Sequence, residues 1–355
     1  MALMALDHAR LFFGPNAASW NLPSRASAAH FFTWWLPHLC GPVFVFLAGV
    51  SAALWLEKKG DRPGLSRYLL TRGALLVVLE FTVVRWSWRI LDPNHIVVLQ
   101  VLWVLGVGMM LLAALHWLPR WLLAVLGVAL IALQPPEVDH PLWLLLFDKG
   151  GFVVGGVQVA VLWPLAAWLG LMLLGWVAGP QMKRPKVLLA AGGALCLGFV
   201  ALRYSNVWGD VRPWYEVNRA GVYTLISFLN TSKHPASPLF LMMTMGPALL
   251  LLARLDRLGS RVGAALEWLG RAPLFFYVVH IPLLHVAAAG WWAWQFPDAE
   301  RSWWIRPVST WPEDYVLSLG LVYGASLAAV AVMLPLCAGY GRLKASRRIP
   351  WLRYF

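Results

Sequence analysis

Hydrophobic positions in this chain gather into long, nearly unbroken runs, not into the one-faced or alternating patterns of a water-soluble fold. Taking runs of about 17–25 residues as membrane spans, the pattern predicts helices near 1–14, 33–56, 66–88, 95–117, 119–134, 156–179, 187–203, 237–254, 273–295 and 315–338. The first run is short. At ~1.5 Å per residue a helix from Met1 to Phe13 covers about 20 Å of a ~30 Å hydrocarbon core, so it reads as a half-span or as a start set too late; the second reading is preferred. The expected fold is all-α: a polytopic membrane helix bundle of about ten transmembrane helices, the first one truncated, forming one domain over 1–355. No internal repeat, low-complexity tract or soluble domain interrupts it.

Composition agrees with the pattern. Hydrophobic residues make up 60% and charged residues 13%, against about 25% charged in a soluble domain. The net charge of +13 would raise nucleic acid in a soluble protein, but here the basic residues sit in short loops beside apolar runs. Lys58, Lys59, Arg62, Arg67 and Arg72 follow the second run, Lys183, Arg184 and Lys186 the sixth, Arg254, Arg257, Arg261 and Arg271 the eighth, and Arg342, Lys344, Arg347, Arg348 and Arg353 the last. The other loops hold the acids: Glu137, Asp139 and Asp148, then Asp210 and Glu216, then Asp298, Glu300, Glu313 and Asp314. With ten runs the alternation holds throughout, so the basic loops and both termini are expected in the cytoplasm of a bacterial inner membrane. Twenty-three Trp suit aromatic belts at the two interfaces. Cys40, Cys196 and Cys337 show neither disulfide nor zinc spacing, and no cleavable signal peptide is visible. Nucleic acid is not expected as a partner, and no metal-ligand motif, phosphate loop or GxSxG elbow occurs. Gly106 and Gly108 read as helix packing.

Polar residues inside the apolar runs are the candidates for chemistry. An ionisable side chain costs about 2.5–3.5 kcal/mol to insert, so Asp7, His8 and Arg10, clustered in the first run, call for an internal site; headgroup residence is the bland alternative. His38 lies within LPHLCGP, where Pro37, Gly41 and Pro42 break the helix. Glu80, in ALLVVLEFTVV, needs a partner such as Arg10, Arg85 or a histidine, or else forms an inter-helix ion pair without chemistry. Arg85, Trp86, Trp88 and Arg89 read as an outer-interface anchor. His280 and His285 flank Pro282 and, five residues apart, fall on different faces; His280, the deeper, is preferred. Lys233, His234 and Ser237 stand where the aromatic-rich 204–236 segment enters the eighth run, suited to an anionic or hydroxylated ligand.

Five blocks in this order carry a resemblance: LDHARLFFG, HLCGPVFVFLAG, LTRGALLVVLEFTVVR, SFLNTSKHPASPLFLMMTMGP and APLFFYVVHIPLLH. The chain resembles a bacterial family related to the catalytic domain of heparan-alpha-glucosaminide N-acetyltransferase, over nearly its whole length. The wider transmembrane acyltransferase superfamily carries an Arg near the cytoplasmic end of the first helix and a catalytic His further along. His8 falls on that His position. The Arg would fall about three residues before Met1, which agrees with a truncated start, and the animal relative carries a different residue at the His8 position.

The resemblance implies an acyl-coenzyme A dependent O- or N-acyltransferase. Acetyl-CoA would be the acyl donor, its anionic groups met by Arg72 and Arg10, with no metal. His8 would act as base or nucleophile, with Asp7, Glu80 and His280 as further catalytic candidates. The acceptor, a glycan or lipid-linked sugar, would meet His38, Arg85, Lys233 and Ser237 from the outer face. Membrane lipids are the remaining partners, and a homodimer stays open. Two rivals remain: a proton-coupled transporter, in which the same groups carry protons, and a non-catalytic membrane scaffold.

Overall fold

The computed structural model describes residues 1–14, 27–88, 96–133, 138–218, 220–255, 260–297, 318–346 and 352. Arg89, Glu137, Arg257, Asp298, Glu300, Glu313, Asp314, Arg347, Arg348 and Arg353 lie outside them. In chain order the elements begin with α1 (Ala2–Phe13), α2 (Ala28–Trp35), α3 (Cys40–Lys59), α4 (Arg62–Leu79), α5 (Arg85–Trp88) and β1 (Ile96–Leu99). There follow α6 (Val101–Leu115), α7 (Arg120–Ala132), α8 (Pro141–Leu146), β2 (Gly150–Val154), β3 (Val157–Val161), α9 (Leu165–Ala178) and α10 (Pro185–Ser205). The chain ends with α11 (Gly221–Leu229), α12 (Pro238–Leu252), α13 (Ser260–Arg271), α14 (Pro273–Gln295) and α15 (Leu319–Ala345).

This is an all-α membrane helix bundle with a small sheet. Among the described residues four helical stretches are long and apolar enough to cross a membrane: Ala28–Lys59, Pro185–Ser205, Pro273–Gln295 and Leu319–Ala345. Val101–Leu115, Arg120–Ala132, Leu165–Gln181 and Pro238–Leu252 are shorter apolar helices. Each of the ten predicted runs carries a helix, but two of them begin as strands. Residues 96–99 and 157–161 pair in parallel, and 150–154 joins 157–161 as an antiparallel hairpin. The reason lies in IVVL and VQVAV, which are β-branched, and in Gly155 and Gly156, whose φ of +55° and +79° close a two-residue hairpin turn. Leu99, Leu144 and Val161 form the sheet's own core.

The chain groups into two compact units. The first comprises Met1–Cys40, Phe81–His95 and Leu258–Phe355, the second Gly41–Glu80 and Ile96–Arg257. In the first, α1 packs on α14 and α15, and its Ala5, Ala9 and Phe12 are fully buried. Thr33 Oγ1 donates to the Ala29 carbonyl (2.8 Å) and meets Tyr323 Oη (2.9 Å), tying α2 to α15.

The second unit is assembled by glycines at helix crossings. A Cβ on Gly49 would lie 2.0 Å from the Met172 carbonyl oxygen, and one on Gly175 2.1 Å from that of Phe46, so α3 and α9 meet backbone to backbone. Gly73 and Gly106 do the same for α4 and α6, Gly127 and Gly170 for α7 and α9, and Gly192 and Gly246 for α10 and α12. In lipid there is no hydrophobic drive between helices, so close approach of small residues supplies the packing energy.

Candidate functional site

In the first unit, α1 and α14 bring two imidazoles together. His8 Nδ1 lies 2.7 Å from His280 Nε2, with the rings stacked at 4.8 Å between centroids. His280 is fully buried, and its Nδ1 lies 2.7 Å from the Phe276 carbonyl oxygen one turn back on α14. That carbonyl can only accept, so Nδ1 of His280 carries a proton and, in the neutral ring, Nε2 accepts. His8 must then donate from Nδ1, which leaves its lone pair on Nε2. A backbone carbonyl thus sets the tautomer of both rings. Trp88 and Tyr277 close on His8 edge-on, at 5.0 and 6.2 Å.

Asp7 and Arg10 are engaged with each other. Arg10 Nη2 donates to Asp7 Oδ1 at 2.7 Å, with the guanidinium buried and the carboxylate partly exposed. His38 is buried, its Nδ1 2.8 Å from the Trp34 carbonyl and its ring against Trp34. Arg85 opens α5, partly buried. Trp88, read from sequence as an interface anchor, instead stacks on Phe12 and packs on His8. His285 is buried as well: its Nδ1 donates to the Ser87 carbonyl at 2.7 Å and its ring lies 5.1 Å from Phe12. Both α14 histidines therefore serve α1, one against His8 and the other a turn further along against Phe12.

Glu80 belongs to the second unit, and its partner is not a cation. Its Oε2 accepts from the backbone N–H groups of Leu102 (2.8 Å) and Trp103 (3.1 Å), the first turn of α6, which Gln100 leaves uncapped. A buried acid thus caps a neighbouring helix, where orphan amides and the helix dipole favour an oxygen acceptor. Backbone amides leave no trace in a sequence, so the expected pairing with Arg10, Arg85 or a histidine is replaced by one that charge pattern cannot reveal. Glu80→Ala is expected to destabilise the protein by about 2–4 kcal/mol through two orphaned amides, whereas Glu80→Gln, which keeps an accepting oxygen, is expected to cost much less. Thermal unfolding of the detergent-solubilised variants distinguishes the two.

Also in the second unit, Arg72 Nη1 donates to Tyr68 Oη (2.6 Å), and the Tyr68 ring stacks on Trp55. The buried Nε of Arg72 has no hydrogen-bond partner among the described residues. Lys233 Nζ lies 5.4 Å above the Trp163 ring. Ser237 caps α12 by accepting from Phe240 N–H (3.0 Å) and donates to Asp210. Asp210 was read from sequence only as an outer-loop acid and Arg203 was passed over, yet they organise the 204–236 segment. Asp210 accepts from the N–H groups of Arg212 and Ser232. The buried guanidinium of Arg203 donates to the carbonyls of Arg212, Ser227, Phe228 and Asn230. An Arg at the end of an apolar run was the available signal.

No curated protein matches the chain. Residues 13–194 match the family described as heparan-alpha-glucosaminide N-acetyltransferase, catalytic. The match takes in His38, Arg72, Glu80 and Arg85, and ends before Lys233, Ser237 and His280; His8 precedes it. As slightly more than half of the chain is matched, the protein belongs to the heparan-alpha-glucosaminide N-acetyltransferase catalytic-domain family.

Proposed function

We propose that this membrane protein transfers an acyl group, in the first instance acetyl, from acyl-coenzyme A on the cytoplasmic side to a hydroxyl or amine of an extracytoplasmic glycan or lipid-linked sugar. The observation that carries the reading is the His8–His280 pair. With the lone pair on His8 Nε2, His8 takes the proton from the acceptor's nucleophile as that nucleophile attacks the thioester carbonyl; the carbon–sulfur bond then breaks, and the departing coenzyme A thiolate takes that proton back from His8. The positive charge that develops on His8 is stabilised by its Nδ1–H donating to His280, which the Phe276 carbonyl holds in the accepting tautomer. In this reading Asp7 neutralises Arg10 and does not orient His8, and Glu80 serves the fold. Single family members aside, a positioned imidazole fits base and nucleophile roles equally, and both leave His8 at the centre.

The acyl donor supplies an activated thioester. For its anionic groups the chain offers Arg72, which bonds Tyr68 of the Trp55–Tyr68 stack with Nε still to be used, and, close to it in sequence, Lys58, Lys59 and Arg67. A guanidinium presents several donors in a fixed fork, which suits phosphate oxygens. Arg72→Gln is therefore expected to weaken binding of labelled coenzyme A about tenfold or more in equilibrium dialysis, the loss of one charge-assisted hydrogen bond. Unchanged binding would remove Arg72 from the donor site. On the acceptor side His38, Arg85, Lys233 and Ser237 remain the assignments, Lys233 being held ready by its contact with Trp163.

A further inference from the structure

The second unit contains a cavity of about 270 Å³ where the C-terminal end of α7 meets the N-terminal ends of α9 and α12. That is the end of three apolar helices, the depth at which hydrocarbon gives way to headgroups. Ile131 and Leu133 of the α7 end supply an apolar lining, and Leu133 is 52% exposed. Lys149, Arg212 and Asp148 also line the cavity, and neither cationic side chain makes an ion pair or hydrogen bond among the described residues. The nearby carboxylates are engaged by backbone N–H and hydroxyl groups and not by these two cations. Asp148 accepts from the Lys149 backbone N–H (2.7 Å), and Asp210 from the N–H groups of Arg212 and Ser232 and from the Ser237 hydroxyl. No side chain caps the first turn of α9, whose Ala166 and Ala167 reach the cavity.

We propose that this cavity seats the phosphate headgroup of an anionic phospholipid of the surrounding bilayer, with the acyl chains running out past Leu133. Two cations that form no ion pair, against one lining carboxylate, beside an exposed apolar lip match a ligand that is anionic at one end and apolar at the other. The volume falls just below the roughly 300–1,000 Å³ of ordinary small-molecule sites, which suits a headgroup better than an oligosaccharide. Ser237, assigned above to the acceptor side, also borders this cavity, but the lipid proposal is argued from Lys149, Arg212 and the apolar lip and does not rest on the acyl-transfer reading.

The test is native mass spectrometry of the full-length protein released from a neutral detergent. Phosphatidylglycerol and phosphatidylcholine of equal chain length are titrated in parallel. One phosphatidylglycerol is expected to be retained with about tenfold preference, and the double variant Lys149→Gln, Arg212→Gln is expected to lose that preference. Lys183→Gln, which removes a cation paired with Glu57, is expected to keep it. On the unaltered protein, a photoactivatable phosphatidylglycerol should label the 138–149 or 207–215 segments, which keeps the test decisive if the double variant does not fold. Labelling elsewhere, a preference that survives the double substitution, or displacement by inorganic phosphate at the lipid's own concentration would overturn the proposal.

Discussion

His8→Ala is expected to lower acetyl transfer by about 100-fold or more, the usual range for a positioned acid–base group. His280→Ala is expected to lower it as well, by freeing the His8 ring to adopt the wrong tautomer and withdrawing the acceptor that stabilises its charge. Because the two rings act as a unit, the double variant should lose little more than His8→Ala alone. The effect should fall on kcat, since the proposed donor contacts on α4 are untouched. Single-turnover transfer and coenzyme A binding, measured on the same preparations, check both parts. Additive losses would mean that His8 and His280 work independently; loss of donor binding in His8→Ala would mean that the change is structural.

The largest effect on the fold is expected at the crossing of α3 and α9. Gly49→Val places a side chain where even a Cβ would stand 2.0 Å from the Met172 carbonyl oxygen, and backbone cannot yield as a side-chain tip can. The helices must separate, with a loss of about 3 kcal/mol or more. Gly175→Val should do the same from the other side. Gly193→Ala, where nothing lies within 4 Å, should be neutral or slightly stabilising, because Ala is the better helix former. Yield of monodisperse protein and thermal unfolding in detergent report the difference.

The helical layout was legible because lipid demands long apolar runs, and that demand is written residue by residue. The sheet was not. Its strands are short and apolar, and periodicity alone cannot separate such a run from the start of a helix. The Gly155–Gly156 pair was the available mark of a hairpin. Among site residues, His8 was singled out by depth and by resemblance and His280 by depth, but nothing in the sequence says that residues 272 positions apart share a hydrogen bond. The tautomer assignment rests on the Phe276 carbonyl, which no side-chain pattern encodes. Glu80 shows the same limit from the other direction. A buried carboxylate announces a partner, yet the partner is a helix terminus. Asp210 and Arg203 likewise act on backbone groups, so charge counting placed Asp210 among the outer acids and passed over its part in shaping the 204–236 segment.

The most direct measurement of the central claim is transfer across a sealed bilayer. The protein is reconstituted into vesicles with envelope glycans trapped inside, and radiolabelled acetyl-coenzyme A is added to the side on which Lys58 and Lys59 are exposed. The acyltransferase reading expects acetyl label to appear covalently on the trapped glycans, and to fall about 100-fold or more with His8→Ala. Equal labelling by His8→Ala, or glycan crossing the membrane without acetylation, would contradict it, the latter in favour of a proton-coupled transporter.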